Sequence, residues 1–146
     1  MMQEPTIAAA EAAIIEEFSL FDNWDEKYEY IIELGKRLPP LDAKYKTDDY
    51  RVRGCQSTVY LGAEYENGRI QFKADSDSVI VKGLISMLVR VLSGRTPEEI
   101  LAAKLEFIDR IGMRTHLAQT RSNGLLAMVK QMKHYALAFQ VKTSQS

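Results

Sequence analysis

The chain has 146 residues, a formal net charge of −1 and 46% hydrophobic content. That is one domain's length of chain with enough apolar residues for a packed core without disulfide or metal staples, and it lacks the basic excess of a general nucleic-acid binder. Its single cysteine, Cys55, cannot make an intrachain disulfide and cannot by itself hold a zinc ion or an iron–sulfur cluster.

The N-terminus carries Glu4 and Glu11 before any Lys or Arg, unlike a secretory signal. The longest apolar stretch, residues 79–92, is interrupted by Lys82, Ser86 and Arg90 and is too short to span a bilayer. A lone thiol suits a reducing compartment. The expectation is a soluble cytoplasmic protein, one domain over residues 1–146, with no nucleic-acid and no membrane partner.

Residues 5–20 carry Ile7, Ile14, Ile15 and Phe18 on a partial apolar face, so the spacing predicts a helix over 1–20 with a frayed start. Asp22, followed by Asp25 and Glu26, marks the start of a second helix. This helix places Trp24, Tyr28, Ile31, Ile32 and Gly35 on one face and is expected to end at Pro39-Pro40. Residues 41–49 read as a loop, and alternation of Tyr50 and Val52 with Arg51 and Arg53 predicts a short edge strand.

Asn67-Gly68 is a two-residue hairpin turn, since both central positions of a type I′ turn need positive φ. That turn pairs Tyr65 with Ile70, Ala63 with Phe72 and Leu61 with Ala74 on one apolar face, and Glu66 with Arg69 beside the turn. The segment ADSDS (74–78) offers several N-caps, Asp77 among them, for a helix from Val79 that is apolar nearly all round. Its polar exceptions, Lys82, Gly83, Ser86, Arg90 and Ser93, form a narrow stripe, with Gly94 as a C-cap. Thr96-Pro97-Glu98-Glu99 is a capping box with proline at the first helical position. A short helix or turn follows over 105–112. The last helix is expected from Thr120 to Phe139, with Leu125, Met128, Val129, Met132, Tyr135 and Phe139 inward and a flexible tail over 141–146. The sum is an α+β domain, a small antiparallel sheet covered on one face by helices.

Cys55 is the residue that needs a decision. Free cysteine commonly packs as a small hydrophobe. Here it lies between two extended segments, behind Gly54, which permits an unusual backbone. Arg51 and Arg53 are near enough in sequence to favour the thiolate, which is the nucleophile. Read from the residues alone, Cys55 is a reactive-thiol candidate on a loop.

Taken together, NWDEKYEYIIELGKRLP (23–39), RGCQSTVYL (53–61), DSDSVIVKGLI (75–85), TPEEI (96–100) and HLAQTRSNGLLAM (116–128) resemble the SufE family of sulfur acceptors, over roughly residues 20–135. The resemblance implies a SufE/IscU-like fold with the cysteine at a loop tip. It implies that Cys55 accepts sulfur from the persulfide of a SufS/CsdA-type cysteine desulfurase, stimulates that enzyme, and passes sulfur to a downstream iron–sulfur scaffold complex. The desulfurase uses PLP, and this chain carries no cofactor or metal of its own. It would act as a sulfurtransferase-type accessory protein without stand-alone turnover. By motif position, Gly54, Gln56 and Arg53 flank the acceptor, and Asp75, Asp77 and Arg121 position the loop or contact the partner. His116 is a weaker candidate base. Ala74 and Gln119 depart from the family's usual glycine and proline, at positions expected in loops. The competing readings are a thiol redox sensor, an iron–sulfur scaffold and a non-catalytic interaction module.

Overall fold

The computed structural model describes residues 3–144. Helix α1 (Ile7–Phe18) opens at Thr6, whose hydroxyl accepts from the Ala9 N–H, and buries Ala10, Ile14 and Phe18 along one face. Helix α2 (Trp24–Gly35) is capped by Asn23 and not by Asp22. The Asn23 side chain accepts from the Glu26 N–H at 2.9 Å, and Asp25 and Glu26 face the positive end of the helix. The helix ends at Gly35, ahead of Pro39, so the prolines belong to the connection that follows.

That connection contains two short 3-10 turns, Ala43–Tyr45 and Asp48–Tyr50, where a loop was expected. Tyr50 therefore closes a turn. The expected edge strand shrinks to a single bridge between Arg51 and Tyr60, with the Val52 N–H donating to the Val59 carbonyl at 2.8 Å.

Strands β1 (Val59–Glu66) and β2 (Arg69–Ser76) form the two-stranded antiparallel sheet in the expected register, Leu61 with Ala74, Ala63 with Phe72, Tyr65 with Ile70 and Glu66 with Arg69. Asn67 at φ 54 and Gly68 at φ 78 make the turn. Ala74 thus lies in a strand, 3% exposed, and not in a loop.

Helix α3 (Val79–Leu92) is capped by Ser78, which accepts from the Val81 N–H. It is the centre of the molecule, packed against α1, α2, β2 and the last helix (Gln119–Ser144). Gly83 belongs to its buried face and not to the solvent stripe, because it meets the backbone of α2 at Ile31. Ser93, and not Gly94, is the C-cap, and Gly94 follows at φ +79, where its N–H donates to the Ile70 carbonyl.

Helix α4 (Pro97–Ala102) opens with the Thr96/Glu99 capping box. The short helices α5 (Phe107–Arg110) and α6 (Met113–His116) lead to α7 (Gln119–Ser144). Gln119 is the first residue of α7, again not a loop position, and residues 141–144 continue the helix where a tail was expected. Residues 145 and 146 lie outside the described residues. Helix α7 buries Leu125, Met128, Met132 and Ala136. It crosses the inner face of the hairpin, with the Tyr135 hydroxyl donating to the Leu61 carbonyl at 2.9 Å and Phe139 stacked on Tyr65. No helix among the described residues is long and apolar enough to cross a membrane.

Candidate functional site

The loop from Arg53 to Thr58 is closed at both ends. Val52 and Val59 are hydrogen-bonded at its base. One residue further in, the Thr58 N–H donates to the Asp77 carboxylate at 3.1 Å, and the Asp77 N–H donates to the Thr58 carbonyl at 3.3 Å. Asp77 is therefore not the cap of α3, which is Ser78. It is a clamp holding the start of β1 to the end of β2, on the C-terminal arm of the cysteine loop.

Gly54 sits at φ +90, a conformation that L side chains rarely adopt. The chain reverses there, and Cys55 turns inward. Its Sγ lies 3.6 Å from the Gly124 carbonyl on α7, as donor to acceptor. Cys55 is half-buried, and it forms one wall of a cavity of about 320 Å³. Gln56 and Ser57 continue the wall on the loop side. Leu84 and Leu88 of α3 and Leu125 and Met128 of α7 supply the apolar walls, and Thr120 and Arg121 the polar one.

Burial pushes the Cys55 thiol above its ordinary value, and no neighbouring charge offsets that shift. This corrects the expectation from Arg51 and Arg53. Both are exposed, so water screens them from a sulfur that points the other way. The resting state at neutral pH is the protonated thiol, which is the form that can donate to the Gly124 carbonyl.

The remaining candidates separate. Arg121 and Gln56 line the cavity, and both are exposed. Arg53 is exposed and outside the cavity lining. Asp75 is turned toward Lys82 at 3.4 Å and Lys46 at 3.9 Å, and accepts from the Ser76 N–H. His116 is stacked on Trp24 with ring centroids 4.4 Å apart, and its carbonyl accepts from the Tyr28 hydroxyl. It is not among the residues around the sulfur, so it is not placed to act as a base for Cys55. Sequence reasoning missed Gly124 and the cavity-facing role of Leu84, Leu88, Leu125 and Met128. The spacing of 121, 124, 125 and 128 is one helical stripe, and it carried the signal. Among the described residues no cluster of His, Cys, Asp and Glu could hold a metal ion.

Fold and site together define an α+β domain built around one sheltered cysteine. The chain belongs to the SufE family: residues 12–136 match the SufE Fe-S metabolism associated domain. It is 35% identical over 144 residues to an uncharacterised SufE-like protein of Synechocystis, covering 99% of this chain and 91% of that one. It is 39% identical over 128 residues to an uncharacterised SufE-like protein of Rhizobium etli, covering 84% and 86%. It is 44% identical over 117 residues to SufE-like protein 1, chloroplastic/mitochondrial, of Arabidopsis thaliana, covering 80% of this chain but 32% of that longer protein. The solution structure of a hypothetical protein from Thermus thermophilus shares the fold, with a TM-score of 0.74 at 20% identity over 88% of this chain and 94% of that one.

Proposed function

We propose that this protein is a sulfur acceptor: Cys55 takes the outer sulfur of a cysteine desulfurase persulfide, stimulates that PLP enzyme by relieving it of product, and hands the sulfur on for iron–sulfur cluster assembly. The observation that carries this reading is a lone thiol on a closed glycine-containing loop, facing a cavity larger than the thiol needs. Membership of a family associated with Fe–S metabolism supports it. The single reduced cysteine fits a reducing compartment such as the cytoplasm.

The step is a persulfide version of thiol–disulfide exchange. The Cys55 thiolate attacks the outer sulfur of the donor persulfide. A new S–S bond forms at Cys55 as the donor's S–S bond breaks, and the donor cysteine leaves as its thiolate. There is no net oxidation, and the proton lost by Cys55 balances the one the donor cysteine regains. Attack needs a thiolate in line with the donor sulfur, and the tucked thiol is neither ionised nor in the open. The loop therefore swings out to meet the desulfurase and returns with its cargo. Gly54 provides the backbone freedom for that swing, and the Asp77 clamp fixes the arm about which it turns. Arg121 and Gln56 border the cavity where the partner would arrive.

A thiol redox sensor is the weaker reading, because peroxide sensors rely on an accessible low-pKa thiolate and this thiol is shifted the other way.

The test is a mass spectrum after incubation with a desulfurase, PLP and cysteine. The expected result is a gain of one sulfur on the wild type, none on Cys55→Ser, and reversal by reductant. In the same mixture the Cys55 amide should exchange its hydrogen faster than in the free protein. No gain while the desulfurase itself becomes persulfidated would overturn the proposal.

A further inference from the structure

Gly124 stands opposite Cys55, 69 residues along the chain. Its carbonyl accepts from the resting thiol at 3.6 Å. It has no side chain on the face toward the sulfur: a Cβ built there would lie 3.5 Å from Sγ and 3.9 Å from the Cys55 Cβ. Position 124 lies inside α7, where glycine is the least favoured residue after proline. No positive φ requires a glycine there, and an alanine methyl would make only ordinary contact with the thiol. The thiol form of the protein thus has no need of the missing side chain.

The sulfur-loaded form does. The added sulfur bonds to Sγ at about 2.05 Å, the length of any S–S bond. A methyl group 3.5 Å from Sγ would shut the direction toward α7 to an atom at that bond length. Ser57 of the loop and Leu84 and Leu88 of α3 line the same cavity. The open space over the Gly124 backbone is continuous with the 320 Å³ cavity, about ten times the ~30 Å³ share of one water in the liquid.

We infer that Gly124 is a positioning residue for the transferred sulfur: its carbonyl holds the empty thiol, and its bare Cα is the floor on which the added sulfur rests when the loaded loop folds back. Position 124 then governs retention of sulfur and not its acceptance, since acceptance takes place with the loop swung out. This rests on the sulfur-acceptor reading of Cys55, and its test is built to fail separately from that reading.

The experiment loads wild type, Gly124→Ala and Gly124→Val with inorganic polysulfide, without a desulfurase. The Cys55 thiolate attacks a terminal sulfur of the polysulfide dianion, forming the persulfide and releasing a dianion one sulfur shorter. After desalting, cyanide is added. It removes the outer sulfur as thiocyanate and returns the Cys55 thiolate, and the decay of the sulfur-bearing mass is followed over time. The expected result is a persulfide lost at least five-fold faster from Gly124→Ala than from wild type, and faster again from Gly124→Val. The thermal midpoint of Gly124→Ala should be equal to or higher than that of wild type, because alanine is the better helix former, so misfolding cannot produce the loss. Equal decay in all three proteins would overturn the inference, as would wild-type decay as fast as that of the chain unfolded in urea, or refusal of the folded wild type to load. A wild type that loads with polysulfide and resists cyanide, yet takes no sulfur from a desulfurase, would leave Gly124 in its role and sink the desulfurase reading alone.

Discussion

At Cys55 two demands on one sulfur oppose each other. Under the sulfur-acceptor proposal a carried persulfide must be kept from small reductants, which calls for apolar walls, and a nucleophile must ionise, which apolar walls oppose. The structure settles this in favour of shelter: burial raises the thiol, and the arginines next to it in sequence do not bring it back. Against the ordinary value of 9.0 for an exposed thiol, the tucked thiol ionises only at higher pH, so the stability that goes with the protonated, tucked thiol is fully present below 9.0 and is lost as pH rises through the raised value. Alkylation of the free protein by iodoacetamide should therefore show an apparent pKa above that of the same cysteine in the urea-unfolded chain, and a lower rate at pH 7. A profile coinciding with the unfolded chain, or displaced to lower pH, would mean that the thiol is already exposed or activated at rest.

The element that holds the site still is α3. Leu84 and Leu88 wall the cavity, and the opposite face packs on α2 through Gly83. A Cβ at Gly83 would fall 2.0 Å from the Ile31 carbonyl oxygen and 2.4 Å from the Ile31 Cγ2, and the carbonyl cannot yield without moving the α2 backbone. Gly83→Ala gains about 1 kcal/mol of helix propensity but must push two helices apart, which costs about 1–3 kcal/mol or more. The net expectation is a protein less stable by up to about 2 kcal/mol, read as a lower urea midpoint. A midpoint unchanged or raised would show that the two helices can separate freely. The contrast with Gly124→Ala is informative, since the same substitution is expected to lower stability at one glycine and leave or raise it at the other.

Across the whole molecule the N-terminal segment is tied to α3 by charge. Arg90 meets Glu4 at 2.8 Å and Glu17 at 2.7 Å, Glu17 also accepts from the Tyr30 hydroxyl, and the buried Arg95 donates to the Glu4 and Thr6 carbonyls. Hydrogen bonding from Arg90 holds both carboxyls below their ordinary value of 4.5, against a desolvation that acts the other way. Tyr30, raised by burial and then by Glu17, is pushed up to about 12 and stays a donor at any ordinary pH. For depressed carboxyls the stabilisation is present above 4.5 and fades as pH falls through the lowered values. Urea titrations from pH 7 to pH 3 should show wild type losing stability more steeply below 4.5 than Arg90→Gln, whose carboxyls lack the partner that depresses them. Parallel curves would mean that the tie contributes nothing to folding.

What the sequence determined by itself was written within a few residues. Asn67-Gly68 demands positive φ at adjacent positions, so it placed the hairpin and its register to the residue. Thr96 and Glu99 are one helical turn apart, so the capping box was legible, and the near-continuous apolar run of 79–92 announced a central helix. The GCQS segment and its companions placed the chain in its family and singled out Cys55. Only the tertiary structure decided the rest, because those contacts join distant parts of the chain. Arg51 and Arg53 are neighbours of Cys55 in sequence, yet the sulfur faces Gly124, so proximity along the chain misjudged the sign of the thiol's shift. Asp77 looked like a cap because it precedes a helix, but its carboxylate meets Thr58 across the strands. His116 follows its aromatic contact with Trp24 and does not line the cavity around the sulfur. Backbone hydrogen-bond and turn rules act locally and can be read from local residues. Burial, and with it the chemistry of the one cysteine, depends on which distant side chains surround it and is fixed only when the chain has closed around α3.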